Sequence, residues 1–346
     1  MDLGAMRLFA DLVDDAGLFP PTALPMADAL RRHRDDLAAG SPVLTHRFLC
    51  PASRLAELRA HLEGAGFPAA GSPAGGTGRA DRAEPTDRPG RAGPSGQADQ
   101  AGRTDQAERA DQAERAEPAT EPIRLGLILD VPEVPPHDGL DGLTVELVEV
   151  PGGRPVALDI PARQFVEVTA AQPPIEPPPG VGLKIRCGGA TAAAFPTPQE
   201  LGAFITHCAE RGIPFKATAG LHNAVRHFDP ALGVDRHGFL NLVLGVCAAA
   251  EGRDPVPVLT STDVGELVRL ALAVPDGTAE RARRLLVSYG SCSTGTPIDD
   301  LTALGLIGAS PAATGYGTGM AGDGGTAGAA ADPTTATAGP TTKRVR

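Results

Sequence analysis

The stretch "VGLKIRC" (181–187), followed by "TPQELGAFITHCAERG" (197–212) and "PFKATAG" (214–220), decides the fold class. Each flanking segment is short and largely apolar, as a strand buried on both faces must be. The segment between them opens with Thr197 and Pro198 as cap and first helical residue, places Glu200 three residues after the cap, and closes at Gly212. That order reads as a helix with a capping box and a glycine stop. Strand, helix and strand in succession imply parallel strands joined by a right-handed crossover.

Working outward, further strand-like runs lie at 43–50, 123–130, 144–150, 164–168 and 284–290, and "LNLVLG" (240–245) makes eight. The last belongs to "FLNLVLGVCAAA" (239–250), which reads equally as one buried helix, because an all-apolar run carries no period to separate the two. Residues 69–122 and 309–346 hold almost no large apolar side chain and are expected to be a disordered insert and a disordered tail. Residues 1–68 and 123–308 remain, roughly 250 in all, the size of a single (β/α)8 barrel of the TIM type. That barrel is the expected fold, with an open doubly wound parallel sheet as the alternative. The insert follows the helix after a strand, so in a barrel it leaves from the face opposite the active site, where loop length costs little. "DDAGLFPPTALPM" (14–26) reads as a rigid turn that caps the barrel floor or covers the site.

Composition excludes several classes of function. The net charge is −11 and no basic stripe with interleaved aromatics is present, which argues against nucleic acid as a partner. Asp2, Asp11, Asp14 and Asp15 occupy a start where a secretory signal needs a basic end and an unbroken apolar run. The longest apolar run has twelve residues and contains Asn241, too short to span a membrane. Cys50, Cys187, Cys208, Cys247 and Cys292 lack CxxC or Cys/His ligand spacing and read as reduced thiols of a cytoplasmic protein. No segment calls for a cofactor, and the oligomeric state is left open.

Lysine usage points to the chemistry. Of 31 basic residues only Lys184, Lys216 and Lys343 are lysine, and the first two sit in the middle of the strands quoted above. Alternation puts Val181, Leu183, Ile185 and Cys187 on one side and Lys184 with Arg186 on the other, and likewise opposes Phe215 and Ala217 to Lys216 and Thr218. The apolar sets suit the helix-packed outside, so both lysines are expected in the barrel interior. A desolvated lysine beside a second cation loses its proton readily, which arginine cannot do. The competing expectation is that each lysine is ion-paired to a strand carboxylate. Asp130, Glu146, Glu149 and Glu167 are available; Glu167 and Asp130 stand nearest strand ends and are the preferred general acid and base. Arg186 and His222, with Gly290, Ser291 and Ser293 of "YGSCSTG" (289–295), are expected to hold a small anionic substrate. Cys292 has no base beside it in sequence, and a carboxylate–His222 metal site has no ligand spacing to support it.

"KIRCGG" and "KATAG" resemble the "K-T-S-T-G" and "K-A-S-G-G" strands that follow one another in deoxyribose-phosphate aldolases, class I enzymes built on a barrel. The resemblance implies a Schiff-base lyase in which Lys184 forms the imine and Lys216 is the neighbouring cation that depresses its pKa. Ile185, Arg186 and Cys187 stand where that family has small hydroxyl residues, and the likeness covers about 40 residues. Over its whole length the chain is similar to an uncharacterised bacterial α/β-barrel family through "DDAGLFPP", "KATAGLH", "HGFLNL" and "GSCS". Two alternatives stand beside the lyase: a barrel isomerase or metal-assisted enzyme that stabilises an enolate without covalency, and a noncatalytic binding protein with structural ion pairs.

Overall fold

The computed structural model describes residues 7–64, 122–133, 140, 143–170 and 175–308. Residues 309–346 and, Pro122 apart, 69–122, expected to be disordered, lie outside the described residues. Eight parallel strands close into a barrel in chain order: β1 (Val13–Asp15), β2 (Leu44–Pro51), β3 (Ile123–Ile128), β4 (Leu143–Val150), β5 (Arg163–Val168), β6 (Gly182–Arg186), β7 (Phe215–Thr218) and β10 (Leu286–Ser291). Closure is made by β1 against β10, with Val13 opposite Tyr289, Asp14 opposite Gly290 and Asp15 opposite Ser291. The open-sheet alternative is thereby excluded. β8 (His227–Asp229) and β9 (Val234–Arg236) form a separate antiparallel hairpin in the segment between β7 and the next helix.

The eight strands include one that sequence reading placed elsewhere. "LNLVLG" is not a strand; it lies within helix α4 (Phe239–Ala250), which is buried along nearly its whole length and so shows no amphipathic period. Its Asn241 is fully satisfied, accepting from the Arg226 N–H at 2.8 Å and donating to the carbonyls of Val258 and Ser261 at 2.8 Å each. The missing strand is β1, three residues of which two are aspartates. The expected rigid turn over 14–26 therefore begins inside the barrel wall.

Helices clad two sectors. α1 (Met26–Ala39) and α2 (Leu55–Gly64) follow β1 and β2, and α3 (Pro198–Arg211) joins β6 to β7 with the anticipated capping box at Thr197 and Glu200 and a left-handed Gly212. After the hairpin come α4, α5 (Val256–Thr260), α6 (Val264–Leu272) and α7 (Asp276–Leu285), with α8 (Gly295–Ala303) following β10. Between β3 and β6 strict strand–helix alternation fails: among the described residues these connections hold no α-helix. Gln164 pins one of them, exchanging hydrogen bonds of 3.0 and 2.9 Å with the backbone of Val156, while Leu158, Ile160 and Ala162 pack on the outer face.

The apolar core lies in the shell outside the strands, split into one cluster centred on α3, α4, β6 and β7 and another on α1, α2, β3 and β4. Leu183, Ile185, Cys187, Phe215 and Ala217 all belong to the first, as alternation requires. The barrel interior has a different character, described next.

Candidate active site

Lys184 and Lys216 face each other in register on adjacent strands, and both are buried. Two buried ammonium groups are tolerable only if carboxylates meet them. Lys184 Nζ lies 2.6 Å from Glu149 Oε2 and 2.9 Å from Glu167 Oε2. Lys216 Nζ is 3.0 Å from Glu149 Oε1 and bonds Asp14 Oδ2. Asp14 also accepts from Thr45 and Ser288 hydroxyls at 2.7 Å each and from Arg47 at 2.6 Å. Arg47 continues to Glu146 at 3.0 Å, and Glu146 to Arg124 at 2.5 Å. At the other end Arg186 meets Glu167 at 3.4 Å.

These contacts form one chain of alternating sign, Arg186–Glu167–Lys184–Glu149–Lys216–Asp14–Arg47–Glu146–Arg124. Arg186 ends β6 and its side chain is 48% exposed, Lys216 in the middle is 1% exposed, and Arg124 near the start of β3 is 43% exposed. The chain thus runs through the barrel from the face of the strands' C-terminal ends to the opposite face. Burial pushes the Asp14 carboxyl up, but Lys216 and Arg47 outweigh it and hold it at about 2. Glu149 and Glu167 are lowered by the same contest, in which Lys184 is the leading opponent of desolvation for both. For Lys184 burial favours the neutral amine, and Glu149 with Glu167 overrides it, so its pKa is raised.

Glu146 and Glu149 are three residues apart, yet both point inward. In a regular strand they would face opposite ways. The pairing of β4 with β3 shifts between Val145 and Leu147, and this irregularity changes the parity so that Leu147 and Glu149 turn inward while Val148 and Val150 pack outside.

The remaining expected site residues divide. Glu167 and Arg186 join the lysines. Asp130 does not: it lies beyond the end of β3, exposed, accepting from the Ser53 N–H at 2.9 Å and from the Ser53 hydroxyl at the entry to α2. A carboxylate one residue pair past a strand's end meets the next loop rather than the lumen. Gly290 faces inward, but as packing space: a Cβ there would meet Leu49 Cδ1 at 3.2 Å. The Ser291 hydroxyl is used by the Ser293 carbonyl at 2.6 Å, and the Ser293 hydroxyl by Thr296 at 2.9 Å, so both stabilise the turn into α8. His222 turns to Cys292 Sγ at 3.4 Å, supplying the neighbour that Cys292 lacks in sequence.

One surface cleft, about 580 Å³, is lined by Arg7, Asp11, Arg163, Arg283 and Arg284 at the strands' N-terminal ends. In barrel enzymes chemistry is carried by the opposite face, where Glu167 and Arg186, next to the buried Lys184, are the partly exposed members of the charge chain. Among the described residues no group of three or more His, Cys, Asp or Glu is arranged to hold a metal ion, and no helix is long and apolar enough to cross a membrane. No protein-family model matches this chain, and neither curated proteins nor solved structures yield a match.

Proposed function

We propose that this chain is a lyase or isomerase acting on a small anionic carbonyl compound, by proton transfer beside the carbonyl at Glu167 and Lys184. The observation that carries the proposal is the pairing of Lys184 with two carboxylates at 2.6 and 2.9 Å, which keeps its amine charged. A fixed ammonium in a desolvated lumen is a strong stabiliser of a developing enolate oxygen. Glu167, lowered in pKa and partly open to solvent, takes the carbon-bound proton. Arg186, half exposed at the rim, attracts the substrate's carboxylate or phosphate. Glu149 and Lys216 hold Lys184 in place from behind.

A second reading, an imine-forming lyase of the kind that the likeness to deoxyribose-phosphate aldolases implies, is favoured by the register of Lys184 with Lys216. It requires Lys184 to pass its proton to Glu149 or Glu167 before the free amine adds to the carbonyl carbon and water leaves.

One experiment separates the two. The protein is incubated in D2O with a panel of keto acids, aldehydes and sugar phosphates; exchange of the α-proton is followed by NMR, and parallel samples are reduced with borohydride and mapped by mass spectrometry. Enolate stabilisation predicts exchange without a trapped adduct, lost in Glu167→Gln. A selective adduct on Lys184 or Lys216, lost when that residue becomes Arg, establishes the imine. Neither exchange nor adduct across the panel overturns both readings and leaves the charge chain as scaffolding.

A further inference from the structure

At the C-terminal rim three strands converge on one sulfur. Cys292 follows β10, four residues beyond Ser288, whose hydroxyl bonds Asp14 of the charge chain, about 13 Å along the strand direction. His222 arrives from β7 through a turn in which Ala219 and Gly220 are both left-handed, φ 59° and 74°. A Cβ on Gly220 would meet the Cys187 carbonyl oxygen at 2.8 Å, so glycine alone fits there. A non-glycine residue in the left-handed region is strained and persists only where its surroundings fix it, and here the result is to bring His222 Nδ1 to 3.4 Å from Cys292 Sγ. The loop leaving β1 lays Thr22 on the same sulfur. Arg32 of α1 donates to the Cys292 carbonyl at 2.8 Å and is itself held by Asp15 at the end of β1, fixing the backbone beneath the thiol.

We propose that Cys292 and His222 form a thiolate–imidazole nucleophile at the rim, a second reactive site that takes small aldehydes. In the step, His222 accepts the thiol proton and the sulfur electron pair forms a C–S bond to the aldehyde carbon. The carbonyl π pair moves to oxygen, which takes the proton back from His222, giving a thiohemiacetal. Nothing is oxidised, reduced or released, and the reverse step restores both residues. The choice of aldehyde rests on the carbonyl reading above; the nucleophile does not. The electrostatics agree: burial pushes the Cys292 thiol up, the His222 hydrogen bond and Thr22 outweigh it, and the balance falls at about 7. Further charged or titratable groups around the pair are Arg32, His33 and Asp36 from α1 and Asp15 from β1, with Asp36 bonded to Thr294 beside the turn. Burial pushes the thiols of Cys50, Cys187 and Cys247 up to about 12 and raises that of Cys208 as well.

The test is alkylation of the intact native protein with iodoacetamide between pH 5 and 10, read by peptide mass spectrometry. Labelling is expected at Cys292 alone, with a midpoint near 7. In His222→Gln the midpoint moves toward the free-cysteine value of ~8.5, and labelling at pH 7 slows about fourfold once the greater nucleophilicity of a more basic thiolate is included. A wild-type midpoint at ~8.5, no labelling of native Cys292, or labelling spread over all five thiols overturns the pair without recourse to any variant. Cys292→Ser, followed by its denaturation midpoint, shows whether the rim itself stays folded. Preincubation with glycolaldehyde is expected to protect Cys292. A low midpoint without protection would keep the nucleophile and overturn the aldehyde assignment, whatever becomes of the lysine site.

Discussion

Inside and outside of this barrel are built from the same strands and differ in kind. On β6 and β7, Leu183, Ile185, Phe215 and Ala217 enter an apolar shell, while Lys184 and Lys216 between them enter a lumen where each charge is met by an opposite one. The shell stabilises by area removed from water and tolerates changes of pH. The lumen contributes little net stability, because desolvation consumes most of the Coulombic gain, yet it is intolerant of losing one of its fully buried members. A barrel can be closed with aliphatic layers alone; an ionic lumen reaching the face that carries chemistry is the feature calling for a functional explanation.

The largest effects should come from breaking each side once. Lys216→Met takes one cationic partner from each of two buried carboxylates, leaving Asp14 with Arg47 and Glu149 with Lys184, and is expected to cost about 3–5 kcal/mol at neutral pH, read from denaturant midpoints. Phe215→Ala, its neighbour in the shell, should cost a similar ~3–5 kcal/mol by cavity formation. The two part on titration. The Lys216→Met deficit should shrink as acid neutralises the under-compensated Asp14 and Glu149, whereas the Phe215→Ala deficit should be flat with pH. A flat Lys216→Met deficit would mean that the lumen is not held by charge.

Acid titration of the unaltered protein probes the same point at smaller magnitude. Asp14 sits at about 2 in the folded chain and near ~3.9 when unfolded. The unfolded state binds the proton first as pH falls, so stability from this group is complete above about pH 5 and lost toward pH 2. The loss is about 2 kcal/mol from Asp14, and lowered Glu149 and Glu167 act with the same sign. Lys184, raised, acts in the opposite window: its contribution is present below ~10.4 and fades as pH climbs past its folded value. Asp14→Asn should flatten the acid limb.

What was legible in the sequence follows the regularity of the backbone. β6 and β7 are regular, so alternation alone places Lys184, Lys216 and Arg186 inside, and the capping box between them marks α3 to the residue. β4 is irregular, and parity counting cannot say that Glu149 rather than its neighbours joins the lysines. β1 is too short and too acidic to read as a strand, so Asp14 reads as part of a turn although it is the most buried carboxylate among the described residues. α4 shows the converse: an apolar run buried on all sides loses the period that would identify it. Cys292 and His222 are 70 residues apart and meet only because β7 and β10 are neighbours, information that resides in closure and not in local pattern.

The smallest effects test where the lumen ends. Asp130 and Glu167 both stand near the C-terminal ends of strands, and sequence gives no ground for preferring one. In the fold Glu167 holds Lys184 at 2.9 Å, while Asp130 receives Ser53 at the entrance to α2. Asp130→Ala is therefore expected to behave as loss of a helix-entry cap, about 1 kcal/mol in denaturation, with α-proton exchange unchanged. Arg186→Gln, which removes a half-exposed partner of Glu167, should cost less than ~1 kcal/mol of stability and show instead as weaker retention of anionic ligands, measurable as a raised half-saturation in the exchange assay. Glu167→Gln should reverse the Asp130 result, abolishing exchange while the chain stays folded. If Asp130→Ala stopped exchange and Glu167→Gln did not, the reacting carboxylate would sit on the rim above β3, and the boundary drawn between lumen and loop would be in the wrong place.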